Sequence, residues 1–477
     1  MPETITIETG SKQNARICLV GDSEHMPLAL SLSRAGHPVL LLNLADTYCP
    51  ATPEYVTIDL AALYRPVHPY APLRALLACH WLRRQEFDHI LFARPAAAYY
   101  ATIARDLGLD FPHTGLWIIG DAFRAVSLRR QRRWPDGRTD IELHFLEAEA
   151  LRRADGLLLP EPQPGDLEAA GLRRPERCLT WKAGDPLPFP PSRSGKVVSG
   201  DIRISVCLPA FNRAPELDEA VRSLMAQTKT DFDVILVDDG SSCPDTLAVI
   251  ERWRAPFHAR GWTMVRQENA GPAKARRAAR QAARGSHLLF MDDDNVALAH
   301  EIERFARAAR SGADILTCIP GRHPASDLGP EAVAIVDGPD PSYPQVGIDW
   351  TPVGACPALA VMVNCLGDNN ALVRAEVYDA LDGHVDDRDF VFEDFHFLST
   401  AVARGYRLEV VPEILFLYRR HRGSRSMREH LYASHLRSLE PWLALVPPSL
   451  RPLLVDARKA WYERHRAQAA ESGGDQG

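Results

Sequence analysis

No stretch of this sequence approaches the roughly 18 uninterrupted apolar residues that a membrane-crossing helix requires. Its N-terminus is polar and carries no apolar secretory core. A chain without a transmembrane segment, residing in the cytoplasm, is therefore expected. The nine cysteines are odd in number, scattered and without a CxxC pair, so neither a disulfide framework nor a zinc ribbon is expected, only reduced core thiols. Basic residues are not in excess: 55 Lys and Arg stand against 62 Asp and Glu, a net charge of −7, and nothing in that balance calls for nucleic acid. No fixed-period repeat is visible either. What is present is ordinary globular composition, 46% hydrophobic and 25% charged, which excludes wholesale disorder. At 477 residues the chain exceeds what one core usually serves, so two or three domains are expected.

In the first part, Arg16 to Gly21 is a short apolar run closed by Gly, followed by the helix-compatible Pro27 to Leu32 and the turn Gly36-His37-Pro38. Further strand-length runs occur at Val39–Leu42, His89–Phe92, Leu116–Ile119 and Gly156–Leu159, separated by stretches that suit helices. Such alternation predicts a parallel sheet with helices on its faces. Between Ala183 and Gly200 prolines and glycines crowd out apolar residues; residues 186–202 read as an extended linker between domains 1–185 and 203–430. Residues 431–477 read as a helical extension ending in a frayed tail.

The second part carries the chemistry. Ile204 to Leu208 reads as a strand ending in the turn Pro209-Ala210-Phe211-Asn212-Arg213. The next helix shows Leu217, Ala220, Val221, Leu224 and Met225 on one face. A second strand, Asp233 to Val237, ends in Asp238-Asp239-Gly240-Ser241-Ser242. In open α/β sheets ligands bind beyond the carboxyl ends of the strands, so these loops are the expected rim of a site, although an ordinary Asp-capped turn has the same composition. Asn269 to Arg277 places Pro272 in the first turn of a helix carrying Arg276. That arginine suits a diphosphate, and a solvated helix face suits it equally.

His287 to Met291 is an apolar strand running into Asp292-Asp293-Asp294-Asn295. Three carboxylates at one strand end repel unless a cation sits among them, and oxygen ligands select hard ions such as Mg²⁺ or Mn²⁺, although a solvated acidic turn has the same composition. Downstream, Gly367 to Arg374 leads to Glu393-Asp394 at a helix start, where the acids serve either as caps or, near a bound sugar, as a general base. Tyr418 to Ser424 surrounds His421 with arginines.

In this order the motifs resemble the family 2 glycosyltransferases of GT-A fold, over about Arg203 to Met427. The resemblance implies an α/β chain of two Rossmann-like domains. The second would be a GT-A nucleotide-sugar-binding fold, followed by a helical C-terminal tail. It implies an inverting glycosyltransferase of bacterial glycan or polysaccharide biosynthesis, taking a nucleotide-sugar donor, a UDP-sugar first of all, and a glycan or other hydroxyl acceptor. Pro209, Phe211, Asp239, Arg276 and Asp293 would bind the donor. Asp294 with Asp292 and His421 would hold a divalent metal, Mn²⁺ or Mg²⁺, and Asp394 would be the catalytic base. Phe211 stands where the family more often has tyrosine, and Arg277 where it often has asparagine. The first domain resembles, through Gly36-His37, Phe87-Asp88-His89, Leu109-Asp110-Phe111 and Phe145-Leu146-Glu147, the N-terminal half of family 4 glycosyltransferases of GT-B fold. Since that fold holds its donor mainly in the other half, no second active site is expected there.

Two rivals differ in class. A nucleotidyltransferase would carry a Gly-rich phosphate loop after its first strand, which Pro209-Ala210-Phe211-Asn212 is not. A degenerate transferase serving as a carbohydrate-binding or scaffold protein would have no use for Asp294 and Asp394.

Overall fold

The computed structural model describes residues 15–46, 49, 52–64, 69–120, 122–159, 164–182, 185, 201–326, 332–337, 345–421 and 431–473. The chain divides into two units, Met1–Lys196 and Val197–Gly477. Most of the expected linker, residues 186–200, lies outside the described residues.

The apolar runs of the first unit are too short for helices and too continuous to alternate, which is the pattern of strands buried on both faces. They form β1 (Ile17–Gly21), β2 (Val39–Asn43), β4 (His89–Phe92), β5 (Gly115–Ile119) and β6 (Gly156–Leu159). Two strands that the sequence did not announce, β3 (Val56–Asp59) and β7 (Cys178–Thr180), complete a sheet in the order β3-β2-β1-β4-β5-β6-β7. Every pairing in it is parallel. The order turns back between β1 and β4, the switch point where such sheets place ligands. There Arg94 is bound by Asp22 and Glu24, so the loop after β1 is closed by ion pairs.

The second unit opens with four parallel strands, in the order β10 (Thr263–Arg266), β9 (Asp233–Asp238), β8 (Ile204–Ala210) and β11 (His287–Phe290). The sheet then turns antiparallel through β16 (Leu372–Arg374) onto β13 (Ile315–Arg322). On its far side lie β15 (Gln345–Ile348) and β14 (Ala334–Asp337). The long β17 (Leu408–Tyr418) pairs parallel with β13 and antiparallel with the two-residue β12 (Val296–Ala297), curling the sheet toward the end of β11. The helix Ala214–Met225 buries Leu217, Ala220, Val221 and Leu224, the face its spacing predicts.

A helical C-terminal tail is present, ending in the helix Arg451–Gly473. It is anchored by Arg458, buried to 1%, whose guanidinium donates to the Val361 and Ala360 carbonyls at 2.7 and 2.8 Å. The helix runs three residues into 471–477, the stretch expected to fray; residues 474–477 lie outside the described residues. All nine cysteines are free, and all but Cys178 and Cys243 are buried. No helix among the described residues is long and apolar enough to cross a membrane.

Candidate functional site

Because β8, β9 and β11 run parallel and adjacent, their carboxyl ends deliver three polar loops to one edge. Asn212, just beyond β8, ties the first two loops together. Its backbone takes a left-handed φ of 52°, which asparagine tolerates better than most residues. From there its side-chain oxygen accepts from the Ser242 and Cys243 amides at 2.9 and 2.8 Å. Asp239 does the same for the next loop. Its carboxylate accepts from Gln267 Nε2 at 2.7 Å and from the Ala270 and Gly271 amides at 2.8 Å each. The loops approach so closely that a Cβ on Gly240 would lie 2.7 Å from the Asn269 nitrogen. Asp239 thus holds the turn that launches the helix Pro272–Ala282, which carries Arg276. Pro209 is buried within β8, whereas Phe211 is 43% exposed at the rim.

The three aspartates after β11 divide between two cations. Asp292 turns to Arg276, whose Nη2 lies 2.8 Å from its Oδ1, and to the Asn369 amide at 2.9 Å. Arg276, only 3% exposed, also reaches Glu393 Oε1 at 3.2 Å, so one guanidinium joins the end of β11 to the start of the helix Glu393–Ala403. Asp293 and Asp294 turn the other way. Arg213 Nη1 lies 3.0 Å from Asp293 Oδ1 and 2.5 Å from Asp294 Oδ2. Asp293 Oδ2 further accepts from the Phe211 amide at 3.1 Å, and His421 Nε2 stands 3.3 Å from Asp294 Oδ2.

Electrostatics agree with this crowding. Burial, followed by the neighbouring Glu393, pushes the Asp394 carboxyl above the usual carboxylate range. Burial and then Asp394, Asp292 and Asp294 push Asp368 well above it. Asp294 moves the other way: the His421 hydrogen bond and Arg213 outweigh its burial and hold it low. Asp293 is raised, mainly by burial, with Arg213 opposing. The cleft is therefore a place where negative charge is in surplus and a cation is favoured.

Of the expected metal residues, Asp294 and His421 come together, while Asp292 is engaged on the opposite side with Arg276 and Asn369. No group of three His, Cys, Asp or Glu residues among those described is gathered as a metal shell. Arg213 now occupies the place of a cation between Asp293 and Asp294. The carboxylate of Asp294 and a ring nitrogen of His421 suit a hard divalent ion that draws its other ligands from a phosphate and water. Residues 422–424 of the expected motif lie outside the described residues.

Sequence reasoning gave no role to Arg213, Asn369, Asp368 or the Arg419 cluster. Arg419 donates to Glu219, stands 3.1 Å from His323 Nε2, and reaches the Asp294 carbonyl at 3.4 Å. Arg213 directly follows a turn already singled out, and Asp368-Asn369 lies in a loop noted only for its sequence. In both cases the missing signal was the partner, far away along the chain.

Residues 205–331, which run from β8 through β11 and its aspartates to beyond β13, match the family model described as glycosyl transferase family 2. Among curated proteins, an uncharacterized glycosyltransferase, EpsJ of Bacillus subtilis, is 33% identical over 116 residues, 24% of this chain and 33% of that protein. The poly(ribitol-phosphate) beta-N-acetylglucosaminyltransferase TarS of Staphylococcus aureus is 32% identical over 96 residues, 20% of this chain and 16% of that protein. The chain thus spans about a third or less of the length of these relatives. Among solved structures, S. aureus TarS 1–349 in complex with UDP-GlcNAc aligns with 56% of this chain and 92% of that one, at 17% identity and a TM-score of 0.40. The mannosyltransferase PcManGT from Pyrobaculum calidifontis, in complex with GDP-Man and Mn²⁺, aligns with 56% and 75% at 19% identity and a TM-score of 0.37. The segment that holds the carboxylates after β11 is therefore the one through which this chain is similar to the family 2 glycosyl transferases.

Proposed function

We propose that the second unit is a metal-dependent inverting glycosyltransferase that moves a sugar from a nucleoside-diphosphate sugar, a UDP-sugar first of all, to an acceptor hydroxyl in glycan or polysaccharide synthesis. The observation that carries this reading is the meeting of Asp292–Asp294, Arg276 and Glu393-Asp394 at the carboxyl edge of one sheet. Phe211, exposed at the rim, offers a face for the nucleotide base, with Pro209 and Asp239 forming the floor and turn behind it. Asp293 holds the Phe211 loop through its amide and faces the ribose. Asp294 and His421 would hold the Mn²⁺ or Mg²⁺. Asp292 joins them only on release from Arg276. When bound, the ion offsets charge on the departing diphosphate.

Asp394, with its raised proton affinity, takes the proton of the acceptor hydroxyl. The acceptor oxygen bonds to the anomeric carbon as the bond to the diphosphate oxygen breaks, and attack from the opposite face inverts that carbon. Arg276, held between Asp292 and Glu393, would share the charge of the leaving group. The first unit, its switch point closed by Arg94, Asp22 and Glu24, has no part in donor binding in this reading and serves the acceptor or assembly.

The test is a panel of nucleotide sugars with and without Mn²⁺, with release of nucleoside diphosphate as the signal, on the parent chain and Asp394→Asn. The substitution keeps the shape of the side chain and removes the proton acceptor, so turnover should fall by roughly 10²-fold or more with donor affinity little changed. Near-normal turnover in Asp394→Asn, with loss in Glu393→Gln, would move the base to Glu393. Release of pyrophosphate in a parallel arm supplied with a nucleoside triphosphate and a sugar 1-phosphate, without release of nucleoside diphosphate from the panel, would favour a nucleotidyltransferase, and donor binding without turnover a degenerate transferase.

A further inference from the structure

The first unit carries a surface that the transfer reaction leaves unexplained. Between Arg124 and Asp140 the sequence has six arginines and two aspartates, a local charge of +4 in a chain whose net charge is −7. Residues 131–137, which join the helices Arg124–Arg130 and Arg138–Arg153, are all exposed, as are the first two residues of the second helix. Trp134 at their centre is 85% exposed, more than any other large hydrophobic residue described. Four of the arginines have carboxylate partners: Arg124 with Asp140, Arg130 with Asp166, Arg133 with Asp136 and Arg138 with Glu142. Arg129 and Arg132 meet no carboxylate among the described residues.

The backbone here is also set against its own preference. Arg132 has a φ of 56° where the helix ends, its amide returning to the Arg129 carbonyl at 2.9 Å and that of Arg133 to Leu128 at 2.8 Å. This left-handed position after a helix is one that glycine fills without cost. An arginine there loses stability to the fold and gains it nothing visible within the unit.

We infer that this arm, Arg129 to Trp134, is a docking surface for an anionic lipid bilayer. A single indole on an exposed, basic arm matches the headgroup level of a membrane, where tryptophan is favoured and each arginine is drawn to negative lipid. Attachment of this kind is peripheral and weak, set by one aromatic anchor and the local charge, and it is screened by salt.

The experiment is co-sedimentation of the full chain with vesicles of phosphatidylcholine containing phosphatidylglycerol, against pure phosphatidylcholine. The parent should partition to the anionic vesicles alone and be released at high salt. Arg132→Gly retains the left-handed turn, so its combination with Arg129→Gln tests charge without unfolding the arm, and it should weaken partitioning about 30-fold. Trp134→Ala should weaken it about tenfold and abolish quenching of the chain's fluorescence by brominated lipid. Circular dichroism of each variant should match the parent. Failure of the parent to bind anionic vesicles overturns the inference, as does partitioning unchanged in both variants. So does equal binding to a soluble anionic polysaccharide that depends on the arginines but not on Trp134.

Discussion

Replacing Arg276 by methionine tests whether one guanidinium couples the aspartates after β11 to the helix that begins at Glu393. Methionine retains an unbranched apolar stem and removes the charge. The pair to Glu393 is buried on both sides, with side-chain exposures of 4% and 8%, whereas Asp292 is 33% exposed and keeps its bond from Asn369. Breaking a buried pair by removing one partner costs about 3–5 kcal/mol. The better-solvated Asp292 adds little to that, so the lower end, about 3 kcal/mol, is expected. At ~2 °C per kcal/mol, the lower end for domains of 150–250 residues, the melting transition of the larger second unit should fall by about 6 °C. Near-UV circular dichroism would follow it. The decisive arm is Arg276→Met with Glu393→Gln: once the buried carboxylate that has lost this guanidinium is neutral, more than half of the lost stability should return. A drop below about 2 °C in the single variant, or no recovery in the double, would refute the coupling and leave the pair a contact without energetic weight.

Arg213 stands in the place of a cation between Asp293 and Asp294, so Arg213→Ala should bind Mn²⁺ about tenfold more tightly in the absence of any nucleotide. Unchanged affinity, read by electron paramagnetic resonance of free Mn²⁺, would count against the proposed metal position. Glu301 is fully buried, accepts from the Asn370 amide at 2.5 Å, and is pushed up to about 8 by burial, with Asn370 opposing. Its carboxyl is therefore protonated more in the folded than in the unfolded chain between pH 4.5 and 8, and the stability it contributes is lost as pH rises through that window. Glu301→Gln, neutral at every pH, should gain about 2 kcal/mol on the parent between pH 5 and 7. Parallel melting curves at the two pH values would show that the group does not titrate in this range.

Much of the fold was legible because its signals are local. A continuous run such as Leu288-Leu289-Phe290 becomes a strand wherever both of its faces are buried. The face Leu217, Ala220, Val221, Leu224 fixes the side on which its helix packs. Pro272 and Glu393 open helices where their residue types suit a first turn. Less local elements escaped. Val56–Asp59 is half exposed and polar at its end, and Cys178–Thr180 is too short to show a period. The eleven residues of β17 became the spine of the curled sheet only by finding β13 and β12.

The sequence by itself determined which chemistry is present: carboxylates at strand ends, an arginine on a short helix, an acidic helix start. Each follows from residue type and from the order of strand and turn. Only the tertiary structure decided how those charges pair. Arg276 reaches Glu393 across 117 positions and Arg213 reaches Asp294 across 81. Nothing in a run of residues tells a carboxylate which of several distant guanidiniums will be brought within 3 Å. That choice follows from strand order and sheet curvature, which place Asp292 on one side of the cleft and Asp294 on the other. Asp292, expected from the sequence beside the metal, is held in this structure by Arg276 and Asn369.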